Sequence, residues 1–212
     1  MNSRYHATRF LTSVHELSQL PPDQGLEVAF AGRSNAGKSS ALNAVTRQKS
    51  LARTSKTPGR TQMINFFQVE SGRCLVDLPG YGYAKAPEAM RRHWHHTVER
   101  YLSKRQALRG LFLLMDIRHP LTELDRQLLG WCGPRGLPIH ILLTKADKLK
   151  RGAALTALHE VQRRINQNYP HQVSLQLFSA LQSMGVDEAH AKLDEWLDYT
   201  VNSLSLPLPF RG

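Results

Sequence analysis

Residues Gly32–Ser39 read GRSNAGKS: a glycine, four residues, then Gly-Lys-Ser. The run directly follows an apolar stretch and directly precedes one of helical length. This spacing suits the cradling of a phosphate chain. The glycines let the backbone curl so that successive N–H groups point inward at phosphate oxygens. Lys38 then places an ammonium on the β- and γ-phosphates, and Ser39 offers a hydroxyl to Mg²⁺. The helix that starts here adds the positive end of its dipole. A second group, Asp77-Leu78-Pro79-Gly80, lies 39 residues beyond Lys38. Alone it is a turn. At the C-terminal end of a strand, where open α/β sheets bind ligands, the aspartate can hold Mg²⁺ through a water. The glycine N–H can then meet the γ-phosphate.

Two further fragments distinguish guanine from adenine. In Thr144-Lys145-Ala146-Asp147 the carboxylate can accept from both N1–H and N2–H₂ of guanine, a pair that adenine lacks. The Lys145 stem can lie along the purine face. A backbone N–H in Phe178-Ser179-Ala180 can donate to guanine O6. Either fragment alone is weak, since TKAD is also a helix cap. Four fragments in this order, each at a strand end, point to a guanine nucleotide.

The elements needed to place them are legible as alternating apolar and polar runs. Leu26–Ala31 reads as a strand and Lys38–Arg47 as a helix. Met63–Glu70 and Arg73–Leu78 flank Ser71-Gly72 and read as an antiparallel hairpin. Pro87–Arg105 is a helix with proline in its first turn. Leu111–Ile117 and Pro138–Leu143 are apolar on both faces, as buried parallel strands are. Leu121–Cys132, Ala153–Asn168 and Val186–Thr200 read as helices, and Val173–Phe178 as a strand. The alternation predicts an α/β three-layer fold, a mostly parallel sheet with one antiparallel edge strand. There is no internal repeat or low-complexity linker. One domain is expected over 26–200, with an arm at 1–25 packed on it and a tail at 201–212. Phe10, Val14 and Leu17 fall at helical spacing, which predicts a short helix in the arm. In the tail, LSLPLPF has prolines that bar a helix and an apolar content that favours docking on the domain.

The chain has 212 residues, 41% of them hydrophobic, enough for a core without staples. Two cysteines, Cys74 and Cys132, form no disulfide framework, and no apolar run reaches the roughly 18 residues of a membrane span. The N-terminus has no continuous apolar segment of the secretory kind, so a cytoplasmic protein without a membrane partner is expected. Lys and Arg number 28 against 17 Asp and Glu, a net charge of +11. Residues 1–110 hold 17 basic and 7 acidic side chains, and the rest is nearly balanced. Such a one-sided field suits a polyanion, nucleic acid before membrane.

GRSNAGKSS, KTPGRTQMINFF, DLPGYGYAKAP, LLTKADKL and FSA together resemble the EngB (YihA/YsxC) family of bacterial GTP-binding proteins, P-loop GTPases of the TrmE-Era-EngA-EngB-Septin kind. The likeness runs from about Leu26 to about Trp196, and DLPGYGYA is its most specific string. Thr144 stands where the general GTPase motif has asparagine, though threonine here is itself typical of the family. The resemblance implies a cytoplasmic GTPase needed for assembly of the large ribosomal subunit and linked to cell division and septation. It implies GTP contacts from Gly32, Arg33, Ser34, Asn35, Ala36, Gly37, Lys38 and Ser39, and from Gly59, Arg60, Thr61, Gln62 and Met63. Asp77, Leu78, Pro79 and Gly80 join these, with Thr144, Lys145, Ala146, Asp147, Phe178, Ser179 and Ala180. Mg²⁺ would be held by Ser39 and Thr61.

Arg53–Arg60 is polar and contains proline and glycine, suited to a mobile loop. A loop threonine that reaches Mg²⁺ only with triphosphate bound is a switch. Thr54 and Thr57 rival Thr61 on spacing, and the resemblance favours Thr61. Tyr81 follows DLPG where many GTPases place a water-orienting glutamine. Arg33, Arg53 and Arg60 are arginine-finger candidates only by proximity. Asn35 resembles the asparagine that helps hold K⁺ in related GTPases, or else it shapes the loop. No catalytic residue is fixed by the sequence. Lys38, Thr61 and Asn35 are the candidates, and a low intrinsic rate is expected.

Arg47–Arg60 carries five basic residues and no acid. Arg91–Arg109 carries six against Glu99, interleaved with Trp94 and Tyr101, which could stack on unpaired bases or lie in the core. His93, His95 and His96 crowd the same helix without a metal motif's spacing. The expected partners are GTP or GDP and a precursor of the large ribosomal subunit, for a monomeric chain. The alternatives are a regulatory GTPase acting on a division protein, and a P-loop small-molecule kinase.

Overall fold

The computed structural model describes residues 3–52, 63–82, 88–169 and 173–199. Seven strands form one sheet: β1 (Arg9–Val14), β2 (Leu26–Gly32), β3 (Ile64–Glu70), β4 (Arg73–Asp77), β5 (Leu108–Asp116), β6 (Ile139–Thr144) and β7 (Val173–Leu177). Their spatial order is β1-β3-β4-β2-β5-β6-β7. The helices are α1 (Lys38–Thr46), α2 (Glu88–Lys104), α3 (Glu123–Cys132), α4 (Arg151–Asn168) and α5 (Val186–Trp196).

Burial on both faces explains the continuous apolar strands. Along β5, Leu111, Leu113 and Met115 point into a core shared with Val98, Leu102, Leu128, Val161 and Ile165 of α2, α3 and α4. Phe112 and Leu114 point to the other face, where Leu42, Val45, Leu193 and Trp196 of α1 and α5 close a second core. The α/β three-layer reading therefore holds, with the helices divided between two faces. No helix among the described residues is long and apolar enough to cross a membrane.

The antiparallel edge is wider than one strand. β3 runs antiparallel to β4, as the hairpin reading expects, and β1 pairs antiparallel with the far side of β3. The helix expected from Phe10, Val14 and Leu17 is thus corrected: Phe10 and Val14 lie in β1, and Leu17 opens a single 3₁₀ turn, Leu17–Gln19. Phe10, Thr12 and Val14 satisfy a period of two as well as Phe10 and Val14 satisfy helical spacing. The exposed ladder of β3 decides between them. β5 also starts three residues before its expected apolar run, because Leu108 is buried while Arg109 stays in solvent. The tail 201–212 lies outside the described residues.

One buried ion pair ties the arm to the sheet. Arg105 Nη2 and Nε donate to Glu27 Oε1 and Oε2 at 2.6 and 3.0 Å, and the Tyr101 hydroxyl donates to Oε2 at 2.7 Å. The guanidinium also donates to the carbonyls of Pro21 and Pro22 at 2.8 and 3.1 Å. Both charged side chains are about 5% exposed or less. Burial, with the adjacent carboxylate, drives the Tyr101 hydroxyl's pKa well above its ordinary value. Removing one member strands the other in a dry site. Glu27→Ala is therefore expected to lower unfolding free energy by about 3–5 kcal/mol, measured by urea denaturation. A loss below about 1 kcal/mol would show that water screens the arginine.

Candidate functional site

The four motif loops meet at the C-terminal edge of the parallel strands, and local sequence explains each position. β2 ends at Gly32, where a side chain is barred: a Cβ there would stand 2.8 Å from Leu114 O of β5. The chain then turns through Asn35 and Gly37, whose φ angles of 65° and 93° suit asparagine and glycine. Gly37 precedes α1 without offering a capping side chain, so the first-turn N–H groups of α1 are left for an anion. Ser34 N–H donates to Tyr81 O at 2.7 Å, which laces the phosphate loop to the loop after β4.

Asp77 closes β4 beside Phe30 of β2, and its carboxylate is paired with the Lys38 ammonium. Both side chains are largely buried. Asn65 Nδ2 stands 3.5 Å from the second Asp77 oxygen, and Ser13 Oγ donates to Asn65 Oδ1 at 2.6 Å. The lysine expected on the β- and γ-phosphates and the aspartate expected on Mg²⁺ are thus neighbours, holding each other. Asn65 was not among the expected residues. It lies at the start of an apolar strand, INFF, and only the strand register places it against Asp77.

Leu78 and Pro79 are buried, and Pro79 O accepts from Trp94 Nε1 at 2.8 Å. Gly80 is exposed on the ligand side. Tyr81 is buried, and its hydroxyl donates to Asp125 Oδ1 of α3 at 2.6 Å. Burial pushes its pKa well above the ordinary phenol value. The side chain faces the core between α2 and α3, so it positions no water at the phosphate loop.

The base-reading loops are locked to one another and to the phosphate loop. Thr144 Oγ1 donates to Ala36 O at 2.6 Å and lies 3.1 Å from Met115 O, a tie a longer asparagine is not needed for. Lys145, at φ 58°, sends its ammonium across to Asn35 O at 2.7 Å and Asp116 Oδ2 at 2.9 Å. Its stem is stretched between two loops and forms one wall of the site. Asp116 was also unexpected from sequence. The Arg118 guanidinium, with Lys145 beside it, holds its carboxyl well below the usual carboxylate range. Asp147 is largely buried, and its Oδ1 accepts from Ser179 Oγ at 2.6 Å. Ala146 N–H donates to Phe178 O at 3.1 Å, and Ser179 N–H is taken by Met184 O at 3.1 Å. Of the last motif, Ala180 N–H makes no backbone hydrogen bond within the described residues.

Gly59, Arg60, Thr61 and Gln62 lie outside the described residues, as do Arg53, Thr54, Lys56 and Thr57. Met63, half-exposed, immediately precedes β3. Of the two alternatives left open for the aromatics of α2, the structure favours the core. Trp94 packs on Tyr81 and Trp131 at ring distances of 5.2 and 6.0 Å, and Tyr101 is buried against Glu27. Tyr101 is thus closed to a base, Trp94 is partly buried on the core, and Arg105 is spent on Glu27. Arg92, Arg100, Lys104 and Arg109 remain exposed.

Residues 27–145 match the model of a family described as 50S ribosome-binding GTPase. The chain is 57% identical over 197 residues to a probable GTP-binding protein EngB of Nitrosococcus oceani, covering 93% of this chain and 98% of that one. It is 57% identical over 192 residues to the protein of the same description from Edwardsiella ictaluri, covering 91% and 88%. In three dimensions it resembles the crystal structure of a probable GTP-binding protein EngB, with a TM-score of 0.65 at 19% identity. That match covers 82% of this chain and 99% of the other. With its phosphate loop, DLPG turn, TKAD and FSA at one sheet edge, the chain belongs to the EngB group of this GTPase family.

Proposed function

We propose that the protein binds GTP and GDP, hydrolyses GTP slowly when isolated, and serves in the cytoplasm as a monomeric assembly factor for the large ribosomal subunit. On this reading its loss impairs cell division and septation. The observation that supports it most is the Asp147 carboxylate, fixed by Ser179 on the same edge as an uncapped helix N-terminus bearing Lys38. One end fits guanine and the other a phosphate chain. GTP would contact residues 32–39, 59–63, 77–80, 144–147 and 178–180.

Mg²⁺ suits this corner, where Ser39 stands in the first turn of α1 and the buried Asp77 carboxylate lies against the neighbouring Lys38. Ser39 and Thr61 would hold the ion, which neutralises charge on the phosphates. Asn35 is exposed while its carbonyl is engaged by Lys145, and on this reading its side chain would take K⁺. The ribosomal part rests on the net charge of +11 and on the exposed Arg92, Arg100 and Lys104 of α2, which can neutralise RNA phosphates.

With the Tyr81 hydroxyl turned into the core, and no glutamine or arginine finger at the phosphate loop among the described residues, lysine and metal would carry most of the transition-state stabilisation in the isolated protein. Isolated turnover on the order of 10⁻⁴–10⁻² s⁻¹ is expected. Turnover should rise in K⁺ over Na⁺ and rise again with large-subunit precursors, and Asn35→Ala should abolish the K⁺ effect. Association with the particles should weaken steeply with salt in sedimentation. A fast rate unchanged across these conditions would overturn the hydrolytic reading, and absence from the particle fraction at low salt would overturn the ribosomal one.

A further inference from the structure

The link between β1 and the following 3₁₀ turn crosses the first half of α2, and three potential metal ligands meet there. His15 Nδ1 lies 3.1 Å from Glu16 Oε1, and His93 Nε2 lies 4.0 Å from the same oxygen. All three ligand atoms fall within 4.8 Å of one another. His93 Nε2 is buried and makes no hydrogen bond. At 4.0 Å the glutamate is too far to satisfy it. Two ligands bound tetrahedrally to one Zn²⁺ stand about 3.4 Å apart, given metal–ligand distances of about 2.0–2.2 Å. The observed separations of 3.1 and 4.0 Å bracket that value.

We propose that His15, Glu16 and His93 form a divalent metal site of the Zn²⁺ class, separate from the nucleotide site. Two imidazoles and a carboxylate suit Zn²⁺ and its borderline neighbours and suit Mg²⁺ poorly. The His15 and His93 rings are stacked at 5.3 Å, tilted by 23°. An ion lies in the plane of each ligating ring, so binding turns the half-exposed His15 ring out of the stack. His93 is anchored on a helix and Glu16 sits at the edge of a cavity of about 520 Å³, so both need little movement. Three protein ligands leave the fourth position to water. The bound ion would staple the arm to α2, and with it β1, whose Ser13 bonds Asn65 beside Asp77.

The test uses the full chain without an affinity tag and without nucleotide, titrated with ZnCl₂ by calorimetry. One Zn²⁺ per chain is expected, with affinity falling about tenfold or more in either His15→Ala or His93→Ala. His95→Ala is the control, since that ring packs on Trp94 and Trp131, and it should bind Zn²⁺ as the native chain does. Co²⁺ should give the visible absorption of a tetrahedral site, lost in Glu16→Ala. His15 and Glu16 are exposed while His93 and His95 are partly buried, and urea denaturation verifies that each variant folds. Equal Zn²⁺ affinity in the native chain and in His15→Ala/His93→Ala, or a loss confined to His95→Ala, would overturn the proposal.

Discussion

Asp147→Asn is expected to weaken GTP binding by about 10²- to 10⁴-fold, because two hydrogen bonds to a charged group, each worth about 1.5–3 kcal/mol, are lost or inverted. The structure also dictates the direction of the change. Ser179 Oγ donates to Asp147 Oδ1 at 2.6 Å. In the asparagine variant the bond is kept as it stands when the carbonyl oxygen takes it, which turns the NH₂ group toward the base. An NH₂ facing guanine N2–H₂ sets donor against donor, whereas xanthine presents an oxygen at that position. The variant should therefore prefer xanthosine triphosphate to GTP, read by competition against a fluorescent nucleotide. In Asp147→Asn/Ser179→Ala the amide is free to turn either way, and the preference for xanthine should shrink. Equal binding of ATP and GTP by the native protein would remove Asp147 from base recognition altogether.

The residues involved show which parts of the site were legible in the sequence. GRSNAGKS and TKAD are local: the turn, the positive φ at Gly37 and the start of α1 follow from neighbouring residues. β5 and β6 were legible because burial on both faces writes an unbroken apolar run. What stayed hidden depends on register between distant segments. Asn65 faces Asp77 because β3 and β4 pair at those residues, and Asp116 reaches Lys145 because β5 ends beside β6. No local pattern distinguishes either from an ordinary strand-end polar residue.

The misread arm and the side chains whose direction the sequence left open have the same origin. Arm residues with two compatible periods became a strand because the β3 edge was open. Trp94 and Tyr101 sit among arginines in sequence, yet helical spacing turns them inward, onto Tyr81, Trp131 and Glu27. Tyr81, standing where many GTPases have glutamine and chemically a poor positioner of water, is held away from the site by Asp125 of α3. Side-chain direction in these cases is decided by helices that close over the sheet from elsewhere in the chain.

Lys38→Ala is expected to cost roughly 2–4 kcal/mol of triphosphate affinity, the loss of a charge-assisted bond to phosphate. The pairing of Lys38 with Asp77 adds a second consequence. A triphosphate must take the ammonium from Asp77, so the lysine's net contribution is the difference between two ion pairs. Asp77→Asn should then raise affinity for GTP measured without Mg²⁺, because the competing carboxylate is gone, while abolishing the gain that Mg²⁺ gives. In the Lys38→Ala chain the Asp77 carboxylate, about 8% exposed, keeps only the Asn65 contact at 3.5 Å among the described residues. The nucleotide-free variant should accordingly be less stable by as much as about 3 kcal/mol, and Lys38→Ala/Asp77→Asn should recover part of that loss. Calorimetry of the single and double variants, with and without Mg²⁺, closes the cycle. Normal GTP binding by Lys38→Ala would place the phosphates elsewhere. An unchanged stability would mean that the Lys38–Asp77 pair contributes nothing to the empty site.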